Sequence, residues 1–384
     1  MRPTFMGFET AKSAIFTNQK SLDIVGNNLS NVDTNGYTRQ RVDRAAVAQS
    51  SFSTRIASNR TGLAGQGVEA LGVSQTRDAF LDKCFRDEYA MASYHGQAAD
   101  ILSSIQNVLV DGKDITSASG IQGAIEQIYK SLNEYIKEPT LDSGANIVMS
   151  AFKNMCQVIN QLDEKLTVVA RQQKEDLQVN VGRTNDILEQ LAHLNQKISE
   201  DATVLANPDN EYFRSNELLD QRNLLLDELA GYGDIQVTAL SNGAVNVKMG
   251  GHEVVREGEC NTLAMEENAQ GLVTVRWRST GEPIRLTGGT LLASQQYING
   301  RGNNVQSSEE AVQQGIPYYR DRLVTFADAL ATIANRTIPV LDPATNRPMV
   351  DANGETVYKT LLAARSEAGQ AAPVKAGNLS LSTE

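Results

Sequence analysis

SLDIVGNNLSNVDTNGYTRQRV, residues 21–42, is the stretch on which the reading of this chain turns. It places asparagines at 27, 28, 31 and 35, just where an apolar helical pattern runs out. Asparagine is a mediocre helix former because its amide competes for backbone hydrogen bonds. Upstream, the apolar positions are Phe8, Ala11, Ile15, Leu22, Val25, Leu29 and Val32, with Asn18 as the single polar entry. Steps of three and four alternate, which is a heptad seam. Such a helix either packs on its own domain or is a coiled-coil strand that needs a partner, and the spacing is compatible with both. Asn27, Asn28 and Asn31 fall beside the seam, so their amides are expected to bond across neighbouring helices without burying charge. Asn35-Gly36 is expected to turn the chain, with Gly36 at positive φ. Tyr37, Arg39 and Gln40 then begin an extended arm.

Working outward, residues 38–76 lose helical periodicity and read as an arm with short strands. A second seam runs from Phe80 to Val108 and stops at Asp111-Gly112. A third covers Ile121 to Tyr135. The fourth starts at Ala145, weakens around Gln173 and Asn180, and resumes through Ile187, Leu191, Ile198 and Leu205. Unbroken, it makes a helix of about 60 residues, roughly 90 Å long, which suits a rod or bundle. NELLDQRNLLLDELAGYG, residues 216–233, is a shorter helix ended by Gly231 and Gly233. The period then changes to two. IQVTAL and AVNVKM flank an Asn-Gly turn, a strong hairpin signal. Further strands follow in GGHEVVREGE and LVTVRWRSTGEPIRL. Helical pattern returns after Gly288-Gly289, breaks over the polar stretch 300–316, and ends near Ile338. The expected fold is mainly α: a long-helix bundle with an N-terminal coiled-coil helix, an extended arm and an inserted small β-rich subdomain. The expected segments are an axial helix and arm (1–60), a long-helix bundle (61–233), a β-rich part (234–290) and returning helices (291–338). Residues 339–384 are expected to open a further, truncated domain.

Composition narrows the function. The net charge is −11, which disfavours wholesale nucleic-acid binding. Residues 1–60 nevertheless hold eight Lys/Arg against four Asp/Glu. Arg39, Arg41, Arg44, Arg55 and Arg60 therefore suit an acidic protein partner. Cys84, Cys156 and Cys260 are scattered, so neither a disulfide framework nor a structural zinc site is expected. No run nears about 20 apolar residues, and the start lacks a signal-peptide pattern, so neither membrane insertion nor a cleaved signal is expected. His95, His193 and His252 lie far apart without metal-ligand spacing. GLAGQGVEALG is not a phosphate loop, DGKDITSASG lacks a calcium ladder, and no nucleophile elbow occurs. No cofactor and no catalytic residues are expected. What the sequence specifies is packing and partners.

The stretch 21–42 resembles the N-terminal signature of bacterial flagellar axial proteins, an apolar helix followed by N-N-[LI]-[AS]-N-x-x-T-x-G-[YF]. Asn27, Asn28, Leu29, Ser30, Asn31, Thr34, Gly36 and Tyr37 match it. Arg39 and Gln40 resemble the hook-associated protein 1 family more than rod or hook proteins. GQGVEALGVSQTRDAFLDKCFR is similar to a second segment of that family. Leu219, Asp220, Gln221 and Arg222 match its L-L-D-Q-R block, and LTGGTLLA its Gly-Gly turn. The resemblance covers roughly residues 1–340. It implies a non-enzymatic structural subunit at the hook–filament junction, outside the cell, exported unfolded by the flagellar type III apparatus. It implies self-assembly into a ring or short tube. The implied neighbours are the hook protein and hook-associated protein 3, with an export chaperone before secretion. The family's Leu22, Val25 and Asn-rich positions are expected to make subunit contacts. Its closing C-terminal helix has no counterpart after Ile338. The alternatives are another axial component, such as a hook or distal-rod protein, and a cell-wall hydrolase riding on the axis. The LDQR block argues against the first, and the lack of paired carboxylates or a zinc site against the second.

Overall fold

The computed structural model describes residues 6–47, 67–109, 120–138, 141–200, 215–343, 345, 347–351, 353–364 and 374–382. The expected stop at Asp111-Gly112 lies outside these residues, as do Leu205, Arg55 and Arg60. The fold is mainly α, with small separate sheets. Packing divides it into two compact units. One comprises Met1–Tyr94, Val181–Ala264 and Arg276–Thr290, and the other His95–Asn180, Met265–Val275 and Leu291–Glu384.

In the first unit, helix α1 (Met6–Ser30) lies along an antiparallel pair, β1 (Gln40–Ala46) and β2 (Val68–Gln75). Its heptad seam points away from that pair. Phe8, Ile15, Leu22, Val25 and Leu29 are each at least 60% exposed, whereas Thr17 on another face is buried. The apolar stripe is therefore not the face that α1 packs on its own unit. Helix α2 (Ala79–Leu109) follows, then α3 (Gly120–Lys137), and then α4 (Asp142–Ser199), which runs 58 residues without a break at Gly182. Both α2 and α4 contribute to both units. The α4 seam does not weaken in the middle. Met155, Ile159, Leu162, Leu166, Gln173, Leu177, Val181, Thr184, Leu188, Leu191, Asn195 and Ile198 are all buried. Gln173, Thr184 and Asn195 occupy seam positions as polar residues, which disguises the seam in the sequence.

Helix α5 (Asn216–Tyr232) ends at Gly233. Gly231 is inside the helix instead of ending it; a Cβ there would sit 3.0 Å from the Tyr89 ring, so this glycine permits close approach of α2. Strands β3 (Ile235–Ala239), β4 (Val245–Met249), β5 (His252–Arg256) and β6 (Glu259–Cys260) form an antiparallel sheet in sequence order. Alternation buries Val245, Val247 and Met249 on one face, as a half-buried strand requires. A further pair, β7 (Leu263–Glu267) and β8 (Val273–Trp277), includes a strand that the sequence reading omits.

The core of the second unit joins Ile101, Ile105, Met155, Ile159, Leu162 and Leu166 to Leu323 and Ala327 of the last helix. Helix α6 (Thr290–Ile298) precedes it, and α7 (Ile316–Ala334) is that last helix. The polar stretch between them is ordered by its backbone: Arg301 N–H donates to Ala311, Gly302 N–H to Gln313 and Tyr318 N–H to Gly300. Residues 339–384, expected to open a further domain, contribute Leu362, Ala376 and Leu379 to this same core. They do so through the antiparallel strands β9 (Leu362–Ala364) and β10 (Leu379–Leu381).

One device recurs in both units. Asn28, Asn185, Asn195, Asn299 and Asn335 each lie in a helix or directly after one, and each pairs its amide with both the N–H and the C=O of a single residue. That residue is Gln40, Leu263, Val245, Val273 and Leu362 respectively, at 2.7–3.1 Å. Every one of these residues opens a strand. A strand's first residue needs a partner for its outward-facing main-chain groups, and a carboxamide supplies one donor and one acceptor together.

Candidate functional site

The site grows from the end of α1. Asn31 N–H donates to the Asn27 carbonyl at 3.1 Å, and its side-chain amide reaches the Asn27 carbonyl at 3.0 Å and Asn27 Oδ1 at 2.9 Å. The Thr34 hydroxyl in turn donates to Asn31 Oδ1 at 3.2 Å. These bonds occupy carbonyls and amides that a helix end leaves without intrahelical partners. Gly36 adopts φ +80°, and a Cβ on it would meet the Leu224 side chain at 3.3 Å. Both the turn and the close approach require glycine. Beyond the turn, Asn28 Nδ2 donates to the Gln40 carbonyl at 2.8 Å, while its Oδ1 accepts from Gln40 N–H at 2.9 Å and from the Tyr37 hydroxyl at 2.8 Å. Asn27 Nδ2 donates to the Tyr37 hydroxyl at 3.2 Å. The Asn28 amide is thus committed within the chain, where it fastens the arm to the helix. Among the sequence-selected residues, Leu22, Val25, Leu29 and Arg39 stay exposed.

The second motif lies against the first. Asp220 Oδ1 accepts from Thr38 N–H at 3.2 Å and from Gln75 Nε2 at 2.9 Å. Gln75 Nε2 also reaches the Asn216 carbonyl at 2.9 Å, and Asn216 Nδ2 donates to the Val73 carbonyl at 3.2 Å. Arg222 is buried and its Nη1 donates to the Gly243 carbonyl at 2.7 Å, bracing the β3–β4 turn. Leu219 is half-buried and Gln221 exposed. So the two stretches singled out in the sequence, 182 residues apart at Thr38 and Asp220, form one junction of arm and helix. Between them is a hollow of about 280 Å³, lined by residues that include Asn27, Asn31, Gly36, Tyr37, Gln221 and Leu224. Burial, then Asp220 and then Glu217, raise the Tyr37 pKa.

Sequence reasoning missed Gln75, Asn216, Glu217 and Leu224, whose roles depend on that docking. It also missed a charged clamp beside it. Asp227 accepts from Arg86 Nε at 2.7 Å and from Arg77 Nη2 at 3.1 Å, and Arg77 Nε meets Asp82 at 2.6 Å. Burial disfavours the Arg77 charge, but Asp82 and Asp227 outweigh it and its pKa is raised. Nothing in the sequence marks Asp227 among its many acidic neighbours. His193 and His252 are exposed and far apart in sequence, and no group of three or more His, Cys, Asp or Glu among the described residues is arranged to hold a metal ion. The arrangement is equipped for hydrogen bonding and packing.

Comparison with known proteins agrees with this architecture. Residues 102–337 match the model of the flagellar hook-associated protein FlgK helical domain, and residues 8–38 match that of the flagella basal body rod protein. Flagellar hook-associated protein 1 of Bacillus subtilis (strain 168) is 32% identical over 275 residues, covering 72% of this chain and 51% of that protein. The protein of the same name from Salmonella typhimurium is 25% identical over 305 residues, covering 79% and 49%. The chain thus spans about half the length of the curated relatives it matches. The flagellar hook junction protein FlgK from Burkholderia pseudomallei superposes with a TM-score of 0.52 at 18% identity, over 75% of this chain and 47% of that one, and shares the fold. With the helical-domain match extending over more than half its length, the chain belongs to the flagellar hook-associated protein FlgK family, components of the flagellar axis.

Proposed function

We propose that this chain is a non-enzymatic structural subunit of the hook–filament junction, exported by the flagellar type III apparatus and assembled outside the cell. The observation that carries the reading is the docking of the Asn-rich helix end onto the LDQR helix through Asp220, Thr38 and Gln75. It joins the motif shared by axial proteins to the block expected only of the junction protein. The exposed stripe of Phe8, Ile15, Leu22, Val25 and Leu29 supports a role in assembly, because a seam of that spacing is completed by another helix. Hook protein on one side and hook-associated protein 3 on the other are the proposed neighbours, with an export chaperone before secretion. The segments 1–60, 61–233, 234–290, 291–338 and 339–384 remain the proposed domain limits, although the packing units cut across them. Disrupting the gene tests the proposal. Hooks without filaments, with flagellin released into the medium, are expected. Intact filaments would overturn the reading, and loss of the hook itself would favour the alternative of a hook or distal-rod component.

A further inference from the structure

The sequence contains Asn-Gly bonds at 35, 242, 299 and 353. An asparagine before glycine is chemically labile, because no Cβ hinders the glycine nitrogen from attacking the side-chain amide carbon. The fold treats each bond differently. Asn299 is fully buried, and its amide is held by Val273 and by the Glu309 carbonyl. In the β3–β4 turn, Gly243 N–H donates to the Leu240 carbonyl at 3.1 Å, and Asn242 Oδ1 accepts from Ala244 N–H at 3.1 Å. Gly354 N–H donates to the Asp351 carbonyl at 3.0 Å. Asn35 and Gly36 carry none of these restraints. Asn35 is exposed, its amide bonds to no other described residue, and Gly36 N–H donates to none either.

Nothing else in the fold calls for asparagine at 35. Its φ is not positive, since Glu257 is the one non-glycine residue at positive φ among the described residues. The turn itself comes from Gly36. Asn35 and Gly36 line the 280 Å³ hollow beside α5, and Glu217 and Asp220 line it too.

We infer that Asn35 is a site of spontaneous deamidation, and that the product undoes the docking of the arm on α5. The Gly36 nitrogen gives up its proton and bonds to Asn35 Cγ. The Cγ–Nδ2 bond breaks, ammonia leaves with that proton, and a succinimide closes. Water then opens the ring on one side or the other, to aspartate or to isoaspartate. In sum, an amide and a water become a carboxylate and an ammonium ion, with no change of oxidation state. Either product adds negative charge to a wall that already holds Glu217 and Asp220, and like charges so placed disfavour one another. Isoaspartate also makes the main chain one carbon longer within the turn. That turn closes Tyr37 N–H on the Thr34 carbonyl at 3.2 Å and presents Thr38 N–H to Asp220 at 3.2 Å. Both bonds depend on its length. Asn28 still holds Gln40, so the arm comes free of α5 while staying fastened to α1.

The test incubates the 384-residue chain at mildly alkaline pH and physiological temperature, with samples taken over days. Tandem mass spectrometry of tryptic peptides locates each amide-to-acid change, and protein isoaspartyl methyltransferase tags isoaspartate. Asn35, on the peptide 21–39, is expected to convert at least roughly tenfold faster than Asn242, Asn299 or Asn353 in the folded chain. In urea the same bonds should differ by less than roughly threefold, because the fold no longer restrains any of them. Hydrogen exchange then compares fresh, aged and Asn35→Gln chains. The Thr38 amide should exchange roughly tenfold faster in the aged chain. Asn35→Gln, whose longer side chain closes the ring far more slowly, should keep both its mass and its slow Thr38 exchange. A folded chain in which Asn35 converts no faster than Asn353 would overturn the inference. So would an aged chain, converted at Asn35, whose Thr38 exchange is unchanged. Neither readout depends on the hook–filament role, so failure here leaves that reading standing.

Discussion

At the scale of single residues, asparagine is the informative type. Asn299 is fully buried, and its amide serves Val273 N–H, the Val273 carbonyl and the Glu309 carbonyl. Asn299→Ala would strand all three and should cost about 2–4 kcal/mol in urea denaturation. Asn28→Ala removes a comparable set, but the site is half-buried and water can replace the lost partner, so about 1 kcal/mol is expected. Equal costs at both positions would contradict this account of the device. The sequence showed that asparagines cluster at the helix end but not what they hold. The partner of Asn28 is 12 residues away and that of Asn185 is 78. No local pattern reports such a pairing. Cys156 gives a second test. Burial in the core raises its pKa to about 11, whereas Cys84 is exposed. Thiol reagents at pH 8 should label Cys84 at once and Cys156 only on unfolding. Well below pH 9 the Cys156 thiol is protonated in both states, so its pKa takes nothing from stability. As pH rises from 9 through about 11, the unfolded thiolate is favoured and stability should fall. A Cys156→Ala variant should lose that part of the alkaline decline.

At the scale of elements, the seams were legible and their direction was not. Steps of three and four in α1 give the same pattern whether the stripe is buried or bare, and only the exposure of its residues beside a buried Thr17 shows that it faces out. In α4 the reverse occurred, since Gln173, Thr184 and Asn195 hid a seam that continues unbroken. Strand β7 escaped notice because LAMEE lacks β-branched residues and a clean alternation. The exposed stripe predicts that α1 amides exchange hydrogen quickly in the isolated chain and slowly after assembly. Strong protection of residues 8–30 in the monomer would contradict it. Where α2 and α5 meet, Asp227 compensates Arg86, whose side chain is only 8% exposed. Asp227→Ala should therefore cost about 3 kcal/mol, since it leaves a buried cation without its carboxylate. A loss below 1 kcal/mol would show that water reaches Arg86.

At the scale of the whole molecule, the chain packs as two units, and α2 and α4 each contribute residues to both. The sequence segments followed chain order, and chain order does not reveal that β7 and β8 each contribute to both units. The motif pair was more legible: the first stretch stood out by its asparagines, the second by its resemblance to a family block, and they meet at Asp220. Their meeting supports one central claim, that this is a junction subunit of the flagellar axis. Gold-labelled antibody against the chain, imaged on native flagella, tests that claim most directly. Label confined to the distal end of the hook, where the filament begins, is the predicted result. Label along the length of the hook or on the rod, or none on the flagellum, would contradict it.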